Sequence, residues 1–156
     1  MESALNRIRS IADYQFGKGV GAKLFPDNVE ITYSKTTGRI RYVHLKGERL
    51  VTLRPTDGLF SLSITAARIL AENRGFAHCF VTVQQDVSSV IIEGHDVFAA
   101  HVVEADSVIH AKDEVIVVDE ADQVLAVGRA LLSSAEMQAF KTGVAVKVRR
   151  GCAKES

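Results

Sequence analysis

Apolar positions near the start of the chain recur at helical spacing. Leu5, Ile8, Ile11 and Ala12 share one face, while Glu2, Arg7, Arg9 and Asp13 lie elsewhere. The pattern predicts a helix over Ser3–Tyr14, ended by Gly17. The period then drops to two. Strands are expected at Val29–Ser34, Arg39–Leu45, Leu50–Arg54 and Leu59–Ser63, separated by glycine-bearing turns, as an antiparallel meander. Strict alternation in the second of these would put Arg39, Arg41 and Val43 on one face and Ile40, Tyr42 and His44 on the other. Thr65 then opens a helix over Ala66–Asn73 whose Ala67, Leu70 and Ala71 pack on the sheet, and Arg74-Gly75 closes it.

The second half is denser in β-branched residues and shorter in its elements, as a small barrel requires. Strands are expected at Phe80–Val83, Val97–Val103, Glu114–Val118, Val124–Leu132 and Val144–Arg149. By propensity alone Val87–Ile92 is one more. Asp119–Asp122 reads as a hairpin turn with its carboxylates in solvent. Ser133 and Glu136 have the spacing of a capping box opening a short helix through Phe140, with Gly143 stopping it. In the last strand Val144, Val146 and Val148 alternate with Ala145, Lys147 and Arg149. One face would enter the core and the other would present two cations about 7 Å apart, near the spacing of phosphates along a strand.

With 156 residues and 47% apolar content, the chain can bury one fair-sized core or two small ones. No stretch reaches the roughly 18 to 20 apolar residues of a membrane span, and Met1-Glu2-Ser3-Ala4 lacks the basic and apolar regions of a signal peptide. A cytoplasmic location is the expectation. Cys79 and Cys152 stand far apart with no Cys-x-x-Cys partner, so both are read as free thiols, Cys79 buried and Cys152 near a loose tail. The net charge is zero but lopsided: residues 1–74 hold 12 Lys/Arg against 7 Asp/Glu, and residues 75–156 hold 7 against 12. Counterion release depends on clustered cations and not on the total, so a neutral chain can still bind phosphate.

Candidate chemistry is sparse. The run Gly17-Lys18-Gly19-Val20-Gly21 invites a phosphate-loop reading, but it has no Gly-Lys-Ser/Thr ending and no strand before it, which makes it a flexible connector. Five histidines show no metal-ligand spacing, so no metal and no cofactor are expected. Ser133 and Ser134 lack a nucleophile elbow. The acid pairs Asp113/Glu114 and Asp119/Glu120 sit at strand ends or turns, where a solvated role is the default. Arg39 and Arg41 are a solvated face or a phosphate contact. Phe98 is a core residue or a platform for a base.

Asp113–Val118, Leu125-Ala126-Val127-Gly128-Arg129-Ala130-Leu131-Leu132-Ser133, Glu136-Met137 and Gly143–Arg149 together resemble the second half of a PUA domain, the RNA-binding pseudo-barrel of pseudouridine synthases and archaeosine transglycosylases. The first half is similar to the α+β domain that precedes PUA in archaeal tRNA-guanine (archaeosine) transglycosylase and archaeosine synthase. The residues carrying that likeness are Ala12–Gly17, the glycine run, Gly38-Arg39-Ile40-Arg41, Leu53-Arg54-Pro55 and Asp57–Phe60. The resemblance implies an α+β fold: an N-terminal domain over 1–74 with an antiparallel sheet and flanking helices, a PUA β pseudo-barrel over 75–151, and a tail over 152–156. It also turns Val87–Ile92 into a short helix ending at Gly94.

The same resemblance implies an RNA groove. Gly94 would let a backbone or terminal base lie against the chain, His95, Val97 and Phe98 would line the groove, and Lys147, Arg149 and Arg150 would form the other wall. Arg39 and Arg41 would be secondary RNA contacts. The chain departs from the family in having His95 and Ala100 where relatives carry lysine or arginine, and Lys112 in place of the usual glycine before Asp113-Glu114. The transglycosylases do their chemistry in a large separate barrel with a cysteine-rich zinc site, and 156 residues with two cysteines hold neither. The expected function is a non-catalytic RNA-binding protein that holds tRNA near its acceptor arm and 3′ end. Two alternatives are a detached RNA-binding subunit, with a separate catalytic partner, of an archaeosine-pathway enzyme, and a protein-interaction scaffold that has lost RNA.

Overall fold

In the computed structural model, which describes residues 3–154, the chain separates between Ala77 and His78 into two units, each with its own core. Glu2 and the last two residues of the expected tail lie outside the described residues.

In the first unit, helix α1 spans Ala4–Phe16. Ser3 caps it by accepting the Asn6 N–H at 3.1 Å. Ile8, Ala12 and Phe16 are its buried stripe. The glycine run that follows is no connector, because α2 (Val20–Leu24) begins within it. A Cβ on Gly21 would stand 2.2 Å from the Arg9 carbonyl oxygen, so glycine is what lets α2 lie on the backbone of α1. The Gly21 N–H is already donated to the Asp13 carboxylate at 2.7 Å, which removes it from any anion.

Four strands follow in sequence order as an antiparallel meander: β1 (Glu30–Tyr33), β2 (Ile40–Leu45), β3 (Glu48–Leu53) and β4 (Phe60–Leu62). Strict alternation fails in β2. Thr32 opposes Tyr42 but Tyr33 opposes Ile40, leaving Arg41 as an extra, bulged residue. Ile40 and Val43 are both buried as a result, and Arg39 and Arg41 are both exposed. Helix α3 (Ile64–Glu72) closes the unit, and its N-cap is Ser63 and not Thr65. Ser63 accepts the Ala66 N–H at 3.1 Å, while the Thr65 hydroxyl donates to Glu48 at 2.8 Å.

The second unit is a nearly closed barrel around a six-stranded sheet. Its strands are β5 (Phe80–Val83), β6 (Val97–Phe98), β7 (Val102–Ala105), β8 (Glu114–Val118), β9 (Val124–Ala130) and β10 (Val144–Gly151), in the order β6-β10-β9-β8-β5-β7. Only β5 and β8 run parallel. The strand expected over Val97–Val103 is broken by a 3₁₀ turn at Ala99–His101. Val87–Ile92 lies in a 3₁₀ turn (Gln85–Val87) and helix α4 (Ser88–Ile91), as the resemblance implied and propensity did not. Ile91 reaches the core of the unit from there, so burial outweighs β-branched preference. Helix α5 (Ser134–Ala139) carries the expected capping box: Glu136 N–H donates to Ser133 Oγ at 3.2 Å and Ser133 N–H to Glu136 Oε1 at 2.9 Å.

Two acids expected in solvent are buried. Asp119 accepts the backbone N–H groups of Ala121 and Gln123 on one carboxylate oxygen, at 2.9 and 3.0 Å, and so builds the β8–β9 turn from inside. Glu114 is only 3% exposed and takes a guanidinium partner described below. Cys79 is buried as expected. Cys152 starts a 3₁₀ turn, and Ala153 N–H donates to Ile92 O at 3.0 Å, folding that turn back on the end of α4. Among the described residues no helix is long and apolar enough to cross a membrane.

Candidate nucleic-acid interface

The turn after α4 is fastened to β10 at three points. A Cβ on Gly151 would lie 2.2 Å from Ile92 O and 2.8 Å from Gly94 N, so the two backbones touch where Gly151 has no side chain. The Asp96 carboxylate accepts the Val148 N–H at 2.9 Å and faces Lys147 Nζ at 3.4 Å. Val97 and Phe98 of β6 then pair with Val146 and Val144. Gly94 has φ +106°, outside the range of ordinary side chains, and a Cβ there would meet nothing within 4 Å. Its free side is open.

Around this turn the expected residues divide. His95 is exposed, and Lys147 keeps 67% of its side chain in solvent despite Asp96. Phe98 is half exposed, with His101 edge-on at 6.3 Å, so it is a surface ring and not a core one. Arg150 is exposed and donates to Lys154 O at 2.6 Å. Val97 is different: at 1% exposure it belongs to the core and cannot line a groove.

Arg149 is also diverted. It is the bulged residue of β10, between Val148, which opposes Gly128, and Arg150, which opposes Val127. Its guanidinium reaches across β9 to the Glu114 carboxylate, with bonds of 2.9 and 2.5 Å, and the Glu114 side chain is fully buried. A two-pronged pair of this kind satisfies a buried charge. The sequence offers no local signal for it, since the partners stand 35 positions apart.

One cation that sequence reasoning left out stands beside Lys147. Arg129 of β9 pairs directly with it across the strands and is exposed, with no ion-pair partner among the described residues. Directly opposed side chains start only about 5 Å apart, so the two charges act on one stretch of surface.

Arg39 and Arg41 lie in the first unit, on a cleft of about 490 Å³ whose lining also includes Arg7 and Arg54. Arg41 sits 5.3 Å over the Tyr42 ring, with Arg49 at 5.9 Å. A hydrogen bond from Arg41 and its charge hold the Tyr42 phenol below its ordinary value against the opposing effect of burial, with the charge of Arg49 the least of the contributions. No cluster of histidine, cysteine and carboxylate suited to a metal ion occurs among the described residues.

Residues 6–75 match the patch-forming domain C2 of tRNA-guanine transglycosylase, and residues 80–152 match the PUA domain. The tRNA-guanine(15) transglycosylase of Methanobrevibacter smithii is 42% identical over 150 residues, covering 96% of this chain and 23% of the relative. That of Pyrococcus furiosus is 43% identical over 150 residues, covering 96% and 25%. The chain thus spans about a quarter of the length of the curated relatives it matches. Among solved structures, a hypothetical protein of the hyperthermophilic archaeon Pyrococcus horikoshii superposes with a TM-score of 0.76 at 26% identity, over 97% of this chain and 91% of that one. A conserved PUA domain protein from Thermoplasma acidophilum shares the fold, with a TM-score of 0.66 at 20% identity over 98% and 93%.

Proposed function

We propose that this chain, which carries a patch-forming C2 domain followed by a PUA domain, is a non-catalytic RNA-binding protein that holds tRNA by its acceptor arm and 3′ end. The observation that carries the reading is the Gly94 turn: its open side is flanked by exposed His95, and the strand that anchors it bears Lys147 beside Arg129. A backbone without a side chain admits close approach of a sugar, phosphate or base. Two neighbouring cations on a rigid sheet position a phosphate, and His95 and the half-exposed Phe98 ring offer stacking partners for an unpaired base. Arg149 serves the surface indirectly by satisfying Glu114. Arg150 and the Arg39/Arg41 face extend the footprint.

Gel-shift titration of intact tRNA, of the same tRNA with its 3′ end trimmed, and of duplex DNA tests this reading. Intact tRNA is expected to bind tightest and trimming to weaken it; equal affinity for all three would remove the reading.

A second reading follows from the 40–43% identity to one part of a much longer enzyme. The chain would then be the RNA-holding subunit of a tRNA-modifying assembly in the archaeosine pathway, working beside a separate catalytic chain. Affinity purification from the source cell decides between the two. A stoichiometric catalytic partner supports the subunit, and RNA alone supports the free-standing binder.

A further inference from the structure

The arginine cleft of the first unit is more than an extension of an RNA footprint. Its walls come from four separate elements: Arg7 from α1, Thr37 and Arg39 from the β1–β2 turn, Arg41 from β2, and Arg54 from the β3–β4 turn. No carboxylate lines it. Arg54 is matched by Asp57 at 2.9 Å, but Arg7, Arg39 and Arg41 have no ion-pair partner among the described residues. Arg7 and Arg39 bring charge to the recess with no counter-ion, and Arg41, held beside the Tyr42 ring and phenol, adds a third, so an anion entering the recess is attracted by all three. The Thr37 hydroxyl accepts the Arg39 N–H at 3.3 Å, which leaves its own proton to donate.

We infer that this cleft binds a dianionic phosphate group, supplied as inorganic phosphate or as the terminal phosphate of a nucleotide or polynucleotide. A terminal phosphate carries roughly −1.5 to −2 charges at neutral pH, against one on an internal phosphodiester, and the attraction scales with that charge. Planar guanidiniums suit phosphate oxygens in pairs. The volume of about 490 Å³ exceeds what a phosphate fills and falls within the range of small-molecule sites, so a nucleoside-sized group can follow the phosphate in. Every lining residue belongs to the first unit, and the inference does not depend on RNA binding at the Gly94 turn.

Two titrations test it. Inorganic phosphate is titrated at low salt while the backbone amide NMR signals of residues 36–41 are followed, and one short RNA oligomer is titrated in 5′-phosphorylated and 5′-hydroxyl forms. Saturable phosphate binding that moves those signals is expected. Arg39→Ala should weaken it about tenfold or more, as losing a charge-assisted bond implies, with Arg39→Lys retaining part of the affinity. Arg7→Ala repeats the test from a different element, and unchanged melting curves show that both variants fold. A preference for the 5′-phosphorylated oligomer assigns the source to polynucleotide ends; equal binding of both oligomers assigns it to small phosphates. Absence of saturable phosphate binding, or phosphate affinity unmoved by both Arg39→Ala and Arg7→Ala, overturns the inference whatever the tRNA titrations show.

Discussion

Arg149 holds the buried Glu114 carboxylate by two bonds of 2.9 and 2.5 Å from two strands away, with Glu114 fully covered and Arg149 still 42% exposed. A basic residue on the exposed last strand of the barrel invites assignment to a phosphate, yet this one is committed to the fold. Removing it takes a two-pronged partner from a buried charge. Arg149→Ala is therefore expected to cost about 3 kcal/mol or more in chemical denaturation. Replacing both partners with apolar residues of similar volume should recover most of the loss. A stable Arg149→Ala variant that loses only RNA affinity would return Arg149 to the binding surface.

Gly151 is where β10 touches the turn after α4. An added methyl group would meet Ile92 O at 2.2 Å and Gly94 N at 2.8 Å, both rigid backbone atoms. Gly151→Ala should destabilise the chain by roughly 1–3 kcal/mol, as overpacking does, and displace the Gly94 turn. Thermal denaturation reads the first effect and the Gly94 and His95 amide NMR signals read the second. If those signals do not move, the turn is held by other contacts.

Lys112 occupies a position with φ +80°, which costs a side chain about 1–2 kcal/mol and glycine little. The resemblance expects glycine there, and the backbone conformation gives the reason. Lys112 N–H is bonded to Ala130 O at 2.7 Å, so the conformation is pinned by β9. Lys112→Gly should stabilise the chain by a few tenths to about 1 kcal/mol, because relief of strain is partly offset by the freer unfolded chain. A lower denaturation midpoint in the variant would show that the lysine side chain stabilises more than its backbone angle costs.

Tyr42 should ionise more readily than an ordinary phenol, because Arg41 hydrogen-bonds it and places a positive charge beside it. Ultraviolet titration should show one tyrosine ionising early, and Arg41→Ala should return it toward the ordinary value. The folded phenol is the stronger acid, so its contribution to stability is fully present in alkaline solution above the unfolded value. It is lost as the pH falls through the lowered folded value, and nothing is expected near neutrality. An unchanged titration in the variant would mean Arg41 does not face the ring in solution.

Element types were largely legible from the residues, and the reasons differ by element. Ser133 and Glu136 announce their helix because a cap is a local contact spanning three residues, and the first helix is legible from the spacing of Leu5, Ile8, Ile11 and Ala12. The meander follows from period-two patterning bounded by glycine turns, and β5 and β8 were placed to the residue. What was not legible depends on partners distant in sequence. Bulges at Arg41 and Arg149 undo strict alternation, and a bulge is visible only once the opposing strand is known. Glu114 and Asp119 look like solvated acids until Arg149 and the β8–β9 turn amides are brought to them. Val97 and Phe98, adjacent in sequence, separate into core and surface by strand alternation that no short motif carries. Arg7 and Arg54 could not be joined to Arg39 and Arg41 before the cleft existed.

In the proposed function, the edge of the barrel beside Gly94 meets RNA phosphates through Lys147 and Arg129. The most direct measurement is the salt dependence of tRNA affinity for the wild type and for Lys147→Ala and Arg129→Ala. A steep fall in affinity with salt is expected, with a logarithmic slope that flattens by about one for each variant and folding unaffected. Slopes identical in all three proteins, or wild-type affinity that does not change with salt, would contradict it.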